Sequence, residues 1–298
     1  MSLASQGAGP IASACLSNER PVSARIQCGL VIALVAIGAL ATGCGGESGS
    51  EATESTPTGS LDPLATPTVE GLFEVTDDGR RLYLTCWGEG SPTVVLDSGH
   101  PDAAGVSDFD QTEFVRLIAA ETRVCAYDRA GWGGSDPAPN EPRSADDVVD
   151  DLDALLEAAE VDSPYVLAGS SFGGMIVSYY AERHADDVVG VVLLDVPRPS
   201  ATLSEEEIPE VAWDHPTNLG HEDVAPEFEN RFANDPPSFP APLVVVTATA
   251  GDSSVQDQRV WLQSSPAARQ VELDGGHEIY LDDPAGAAAE VIELVRRG

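Results

Sequence analysis

The run Tyr165-Val166-Leu167-Ala168-Gly169-Ser170-Ser171-Phe172-Gly173-Gly174-Met175 decides how the rest of the chain is read. It begins as an apolar strand, breaks in glycine and serine, and continues into Met175, Ile176, Tyr179 and Tyr180, which share one face of a helix. Gly169, Ser171 and Gly173 fit Gly-x-Ser-x-Gly, in which a serine stands at a strained strand-to-helix turn and directs its hydroxyl out of the sheet. The glycines answer a steric demand, because a side chain two places before or after the serine would strike the neighbouring strand or helix. Ser170 has no glycine two places before it, so Ser171 is the candidate nucleophile. The pattern alone also describes ordinary loops; the strand before it and the helix after it give it weight.

Outward from this turn the chain alternates between the two periods. Before it, Phe73 to Val75 and Leu82 to Cys86 flank Asp77-Asp78-Gly79 and read as a hairpin. Then come a strand over Thr93 to Leu96, a helix over Thr112 to Ala120 and a strand over Arg123 to Tyr127. Ser144 with Asp147 three places on is a capping signature, and Val148, Val149, Leu152, Leu155, Leu156 and Ala159 fall on one face of the helix that follows. After the turn, Val188 to Leu194 is a continuous apolar strand. Residues 198–240 break the alternation with acidic and proline-rich sequence, and read as an insertion over one edge of the sheet, either a lid or a long surface loop. Leu243 to Thr247 (strand), Val255 to Leu262 (helix), Arg269 to Leu273 (strand) and Pro284 to Arg297 (helix) complete the pattern. Strands apolar on both faces and alternating with helices imply an α/β fold with a mostly parallel, eight-stranded sheet covered by helices on both faces.

Composition bounds the function. The formal charge is −35, and all fifteen basic residues are arginine. The absence of lysine excludes a phosphate-loop or Schiff-base lysine, and so acidic a surface argues against nucleic-acid binding. The acidity fits either a solubility device or an adaptation to salt.

The N-terminus carries a different signal. Arg20 and Arg25 precede an apolar run from Gly29 to Ala41 that ends in Ala41-Thr42-Gly43-Cys44. A basic region, a short apolar region and small residues at the cut describe a secretory signal. This end resembles a bacterial lipoprotein signal, which implies a cut before Cys44, lipid on that cysteine, and export to the outer face of the bacterial membrane with the chain held there by its lipid. The apolar run is short for a spanning helix, which wants about 20 residues. Residues 1–43 are thus expected to be the signal, 44–67 a polar, disordered tether of Gly, Ser, Thr, Glu and Pro, and 68–298 the folded domain.

A serine hydroxyl is a poor nucleophile until a base takes its proton and a third group orients that base. Of five histidines, His277 follows the last strand in Leu273-Asp274-Gly275-Gly276-His277, a loop that leaves the sheet at the same edge as Ser171. His184 ends a helix, where a cation beside the last carbonyls is sufficient reason for it, and His215 and His221 lie in the insertion. For the acid, Asp252 follows the strand before His277 and is preferred; Asp195, at the end of the strand after Ser171, is the alternative. Two N–H donors are needed for a developing oxyanion. The amide of Phe172 is one; the amide of His100, in Asp97-Ser98-Gly99-His100-Pro101, is the other.

With these residues assembled, 71–298 resemble an α/β-hydrolase. Ser98-Gly99-His100-Pro101 is similar to the family's His-Gly-x-Pro loop, with serine in place of the first histidine. Tyr127-Asp128-Arg129-Ala130-Gly131-Trp132-Gly133-Gly134-Ser135-Asp136 resembles its Asp-x-x-Gly-x-Gly-x-Ser loop, and Gly276-His277 with Asp283-Pro284 its histidine loop. Serine at 171 separates the chain from the branches that use aspartate there. The resemblance implies a carboxylic ester hydrolase acting on a small ester-like substrate through Ser171, His277 and an aspartate, without metal or organic cofactor. An aminopeptidase, a lactone or C–C bond hydrolase, or a lipid-tethered binding protein are the alternatives on this fold. The family's strand order places Leu82 to Cys86 beside Arg123 to Tyr127, which implies a disulfide between Cys86 and Cys125, since Cys15 and Cys28 leave with the signal and Cys44 carries lipid. Oligomeric state is not legible.

Overall fold

The computed structural model describes residues 66–99, 109, 112–199, 212–224, 228, 231–232 and 235–298 except 252. The signal segment, Cys44 and nearly all of the tether lie outside these residues. The strands are β1 (Val69–Glu74), β2 (Arg81–Trp87), β3 (Thr93–Asp97), β4 (Val124–Asp128), β5 (Tyr165–Ser170), β6 (Val188–Leu194), β7 (Leu243–Ala248) and β8 (Ala268–Leu273). They form one eight-stranded sheet in the order β1-β2-β4-β3-β5-β6-β7-β8. β1 and β2 pair antiparallel, as do β2 and β4; every pair from β4 to β8 is parallel.

The helices are α1 (Glu113–Ala119), α2 (Ala145–Ala158), α3 (Phe172–Arg183), α4 (Val255–Gln258), α5 (Ile279–Asp282) and α6 (Pro284–Val295). Helices α2 and α3 seal one face, over Leu82, Val95, Leu167 and Val191, and α1 and α6 seal the other, over Val94, Leu96, Val166 and Val192. Successive strand residues point to opposite faces, so a strand buried on both must be apolar throughout. β3 to β7 meet that demand: they are buried along almost their whole length. Ser144 and Asp147 form the capping box at the start of α2, each side chain bonded to the other's backbone N–H.

Cys86 and Cys125 stand opposite one another in the β2–β4 register and are joined by a disulfide whose residues are fully buried. The bond ties the antiparallel margin of the sheet to its parallel part.

Two elements depart from the periodicity. The helix expected over Val255 to Leu262 is α4 followed by a tighter 3-10 turn over Arg259–Gln263. Three residues per turn put positions i and i+3 on one side. The tightening buries both Gln258 and Trp261 while the Trp261 indole donates to the Pro197 carbonyl at 3.0 Å. The insertion is the second departure. Its described part packs against the domain: Val224 and Phe228 are fully buried, and the Phe228 ring lies edge-on to Tyr179 of α3 at 6.3 Å.

Candidate active site

Ser171 sits between the last residue of β5 and the first of α3, with φ 50° and ψ −122°. A non-glycine residue held there stores backbone strain, which persists only where the surroundings enforce it. They do so here through close packing. A Cβ on Gly169 would lie 2.5 Å from the Gly173 carbonyl oxygen, and one on Gly173 would lie 2.3 Å from that of Asp97. Both glycines are therefore obligatory, and the turn cannot relax sideways. Gly99, in the loop after β3, lies against the serine: a Cβ there would be 3.3 Å from the Ser171 Cβ.

Among the described residues, the carboxylate that meets His277 is that of Asp195. The imidazole Nδ1 donates to Asp195 Oδ2 at 2.7 Å. This corrects the preference for Asp252, which itself lies outside the described residues. The reason is that Nδ1 carries one proton, and a fully buried carboxylate already accepts it. Asp195 reaches this place because β5 and β6 are paired neighbours with Ser170 opposite Leu194, so Ser171 and Asp195 each follow the end of adjacent strands. The chain turns sharply there, with Asp195 at φ 47°. With Nδ1 engaged as donor, Nε2 holds the lone pair that a base needs.

Asp195 is further held on its second oxygen. Oδ1 accepts from the Ala248 amide at 3.2 Å and from Gln258 Nε2 at 2.6 Å. Gln258 is oriented in turn by Thr247, whose hydroxyl donates to Gln258 Oε1 at 2.6 Å and accepts from Gln270 Nε2 at 2.8 Å. Gly251 lies so close that a Cβ there would be 2.3 Å from Asp195 Oδ2. Sequence reading missed Gln258, Thr247 and Gln270. Amides and hydroxyls of this kind populate most helices and strands, and nothing in their spacing sets these three apart.

Of the expected oxyanion donors, Phe172 opens α3, at the positive end of that helix's dipole. His100 lies outside the described residues. Beneath its loop is a buried ionic cluster of Asp97, Tyr127, Arg129 and Glu222. Burial pushes the Asp97 carboxyl up to about 6, against the pull of Arg129 and of the Tyr127 hydroxyl that donates to it at 2.8 Å. Burial works against the charge of Arg129, but Glu222 and Asp97 more than offset it and hold its proton more tightly than usual. Among the described residues no group of three or more His, Cys, Asp or Glu side chains is arranged to hold a metal ion.

Residues 92–244 match the family model described as the alpha/beta hydrolase fold. The chain belongs to the α/β-hydrolase family. An uncharacterized protein of Schizosaccharomyces pombe is 32% identical to it over 148 residues, which are 42% of this chain and 28% of that protein. Among solved structures, a meta-cleavage product hydrolase from Pseudomonas fluorescens superposes with a TM-score of 0.57 at 18% identity, over 77% of this chain and 98% of that one. The enol-lactonase from Burkholderia xenovorans does so with a TM-score of 0.57 at 20% identity, over 74% and 98%. At such identities the superpositions speak for the fold. The chain spans less than half the length of the curated relatives it matches.

Proposed function

We propose that this α/β-hydrolase is an exported serine hydrolase of carboxylic esters, tethered by lipid on Cys44 to the outer face of a bacterial membrane. The observation that carries the catalytic part is the bond from His277 to a fully buried Asp195 on the strand next to a serine held at φ 50°. A buried carboxylate accepting from Nδ1 sets the imidazole tautomer and stabilises the imidazolium that forms during turnover.

As Ser171 Oγ attacks the ester carbonyl carbon, its proton passes to His277 Nε2. The carbonyl oxygen becomes an oxyanion, which the amides of Phe172 and His100 stabilise. The tetrahedral intermediate collapses as the C–O bond to the alcohol breaks and His277 returns the proton to the departing oxygen. A water molecule then repeats the sequence on the acyl-enzyme and releases the carboxylic acid. No metal or organic cofactor takes part.

A fluorophosphonate probe and p-nitrophenyl acetate test this reading together. The wild type labels and turns over, and Ser171→Ala does neither. A wild-type protein that fails to label marks a binding protein built on the fold. Turnover that survives Ser171→Ala removes the mechanism. Esters, lactones and peptide substrates assayed side by side separate the ester reading from a lactone, C–C bond or aminopeptidase activity. For the tether, labelling of growing cells with a radioactive fatty acid is expected to mark the wild type and to spare Cys44→Ser.

A further inference from the structure

The loop from Tyr127 to Asp136 matches the family's pattern but has no task in the mechanism above. Its third residue, Arg129, is buried and donates four hydrogen bonds. Nη1 donates to Asp97 and to the Ser98 carbonyl at 2.8 Å, Nη2 to the Gly99 carbonyl at 2.8 Å, and Nε to Glu222 Oε1 at 2.9 Å. The guanidinium carbon lies over the Phe172 ring, 5.1 Å from its centre. One side chain thus touches both stretches from which the oxyanion donors are drawn.

We propose that Arg129 is the positioning residue of the oxyanion hole, and that Glu222, from the insertion, keeps it in place. The inference rests on the serine-hydrolase reading. A peptide unit is planar, so a held carbonyl holds the N–H across the bond from it. The N–H across from the Gly99 carbonyl is the one assigned to the oxyanion. A cation on that carbonyl also draws electron density from the peptide and makes the N–H a stronger donor.

Neutralising Asp97 would require only a bond to its carboxylate. Arg129 spends two further bonds on backbone carbonyls, both in the loop that lies against Ser171. The Ser98 carbonyl is wedged against the elbow as well, since a Cβ on Gly173 would sit 2.4 Å from its oxygen.

Glu222 is itself fixed from both sides. Asn218 Oδ1 accepts from its amide at 3.1 Å, and Asn218 Nδ2 donates to its carbonyl at 2.9 Å. The flanking residues bracket Arg143: its amide donates to the His221 carbonyl at 2.8 Å, and the Asp223 amide donates to its carbonyl at 2.8 Å. This part of the insertion is a brace under the oxyanion loop, which bears on the lid reading: whatever motion the insertion has does not start at Glu222.

The test uses Arg129→Lys and Glu222→Gln, with p-nitrophenyl acetate as substrate and an alkyl trifluoromethyl ketone as the probe that forms a tetrahedral adduct on serine. Lysine keeps a cation between Asp97 and Glu222 but cannot present the planar fork to two carbonyls. For Arg129→Lys the expected result is kcat lower by roughly 10- to 100-fold, KM within about threefold, and ketone affinity lower by the same factor as kcat/KM. The acid limb of the pH profile, which reports His277, stays in place. Glu222→Gln moves the same quantities in the same proportion by a smaller factor, and carries the test alone if Arg129→Lys does not fold. Ketone affinity unchanged while kcat falls, or a loss confined to KM, overturns the proposal. Failure of the wild type to label with a fluorophosphonate takes down the serine-hydrolase reading first. Normal labelling with indifferent variants takes down only the role of Arg129.

Discussion

Gln258 donates to Asp195 across 2.6 Å, on the carboxylate oxygen that His277 does not use. The direction of that bond is set two residues away. Thr247 Oγ1 accepts from Gln270, so its own proton goes to Gln258 Oε1 and the amide nitrogen of Gln258 is left facing Asp195. Gln270 also donates to the Val255 carbonyl at 2.9 Å, which anchors the far end. Three donors, His277 Nδ1, the Ala248 amide and Gln258 Nε2, thus hold the buried carboxylate in one orientation.

Removing that support is expected to lower kcat. Gln258→Leu, close in size but without donors, leaves Asp195 with the Ala248 amide alone on that oxygen, and a loss of roughly tenfold in kcat is expected from one missing charge-assisted bond. Thr247→Val acts in the same direction and more weakly, since Gln258 keeps its donor but loses its guide. NMR titration of the His277 ring protons checks the route of the effect: its midpoint shifts in Gln258→Leu if the amide acts through Asp195.

The two aspartates weighed as the acid separate cleanly by mutation. Asp195→Asn forces the wrong tautomer on His277 and is expected to reduce kcat by roughly 10⁴-fold. If Asp195 alone orients His277, Asp252→Asn is expected to leave kcat within about threefold of wild type. Steady-state kinetics on p-nitrophenyl acetate decides between them, and a large loss at 252 with little at 195 would reverse the assignment.

Asp97 gives stability a pH dependence of definite sign. Its carboxyl titrates at about 6 when folded, above the usual 3.8, because burial disfavours its charge. The folded state therefore binds a proton that the unfolded state has already released. The contribution is present in full below about pH 4 and is lost as pH rises through about 6. In urea unfolding, the stability of wild type minus that of Asp97→Asn is expected to fall by on the order of 1–3 kcal/mol between pH 4.5 and pH 7. A difference that grows over this range would contradict the assigned direction.

The Cys86–Cys125 bond closes a stretch of 39 residues and is fully buried between β2 and β4. Replacing both cysteines by alanine is expected to cost about 2–4 kcal/mol in unfolding free energy. Ester turnover at 25 °C is expected to stay near that of the disulfide-bonded protein, because the bond joins β2 to β4 whereas Ser171, Asp195 and His277 follow β5, β6 and β8.

The amino-acid sequence by itself determined the layered architecture, the elbow serine and the histidine. Each is written in local terms: strands buried on both faces must be apolar throughout, the turn around Ser171 tolerates glycine alone at 169 and 173, and His277 stands in a glycine loop directly after the last strand. Which aspartate meets His277 was decided only by tertiary structure. β6 and β7 both end at the same edge of the sheet and acidic residues abound in this chain, so periodicity could not rank Asp195 against Asp252. The ranking follows from a φ of 47° at Asp195, from Gln258 turned inward by a tightened helix, and from the absence of a side chain on Gly251. The bracing of the Gly99 loop by Arg129 and Glu222 is equally non-local, joining positions 93 residues apart. A buried ion pair leaves no period in the sequence, because its partners are brought together by the packing of strands and insertion and not by spacing along the chain.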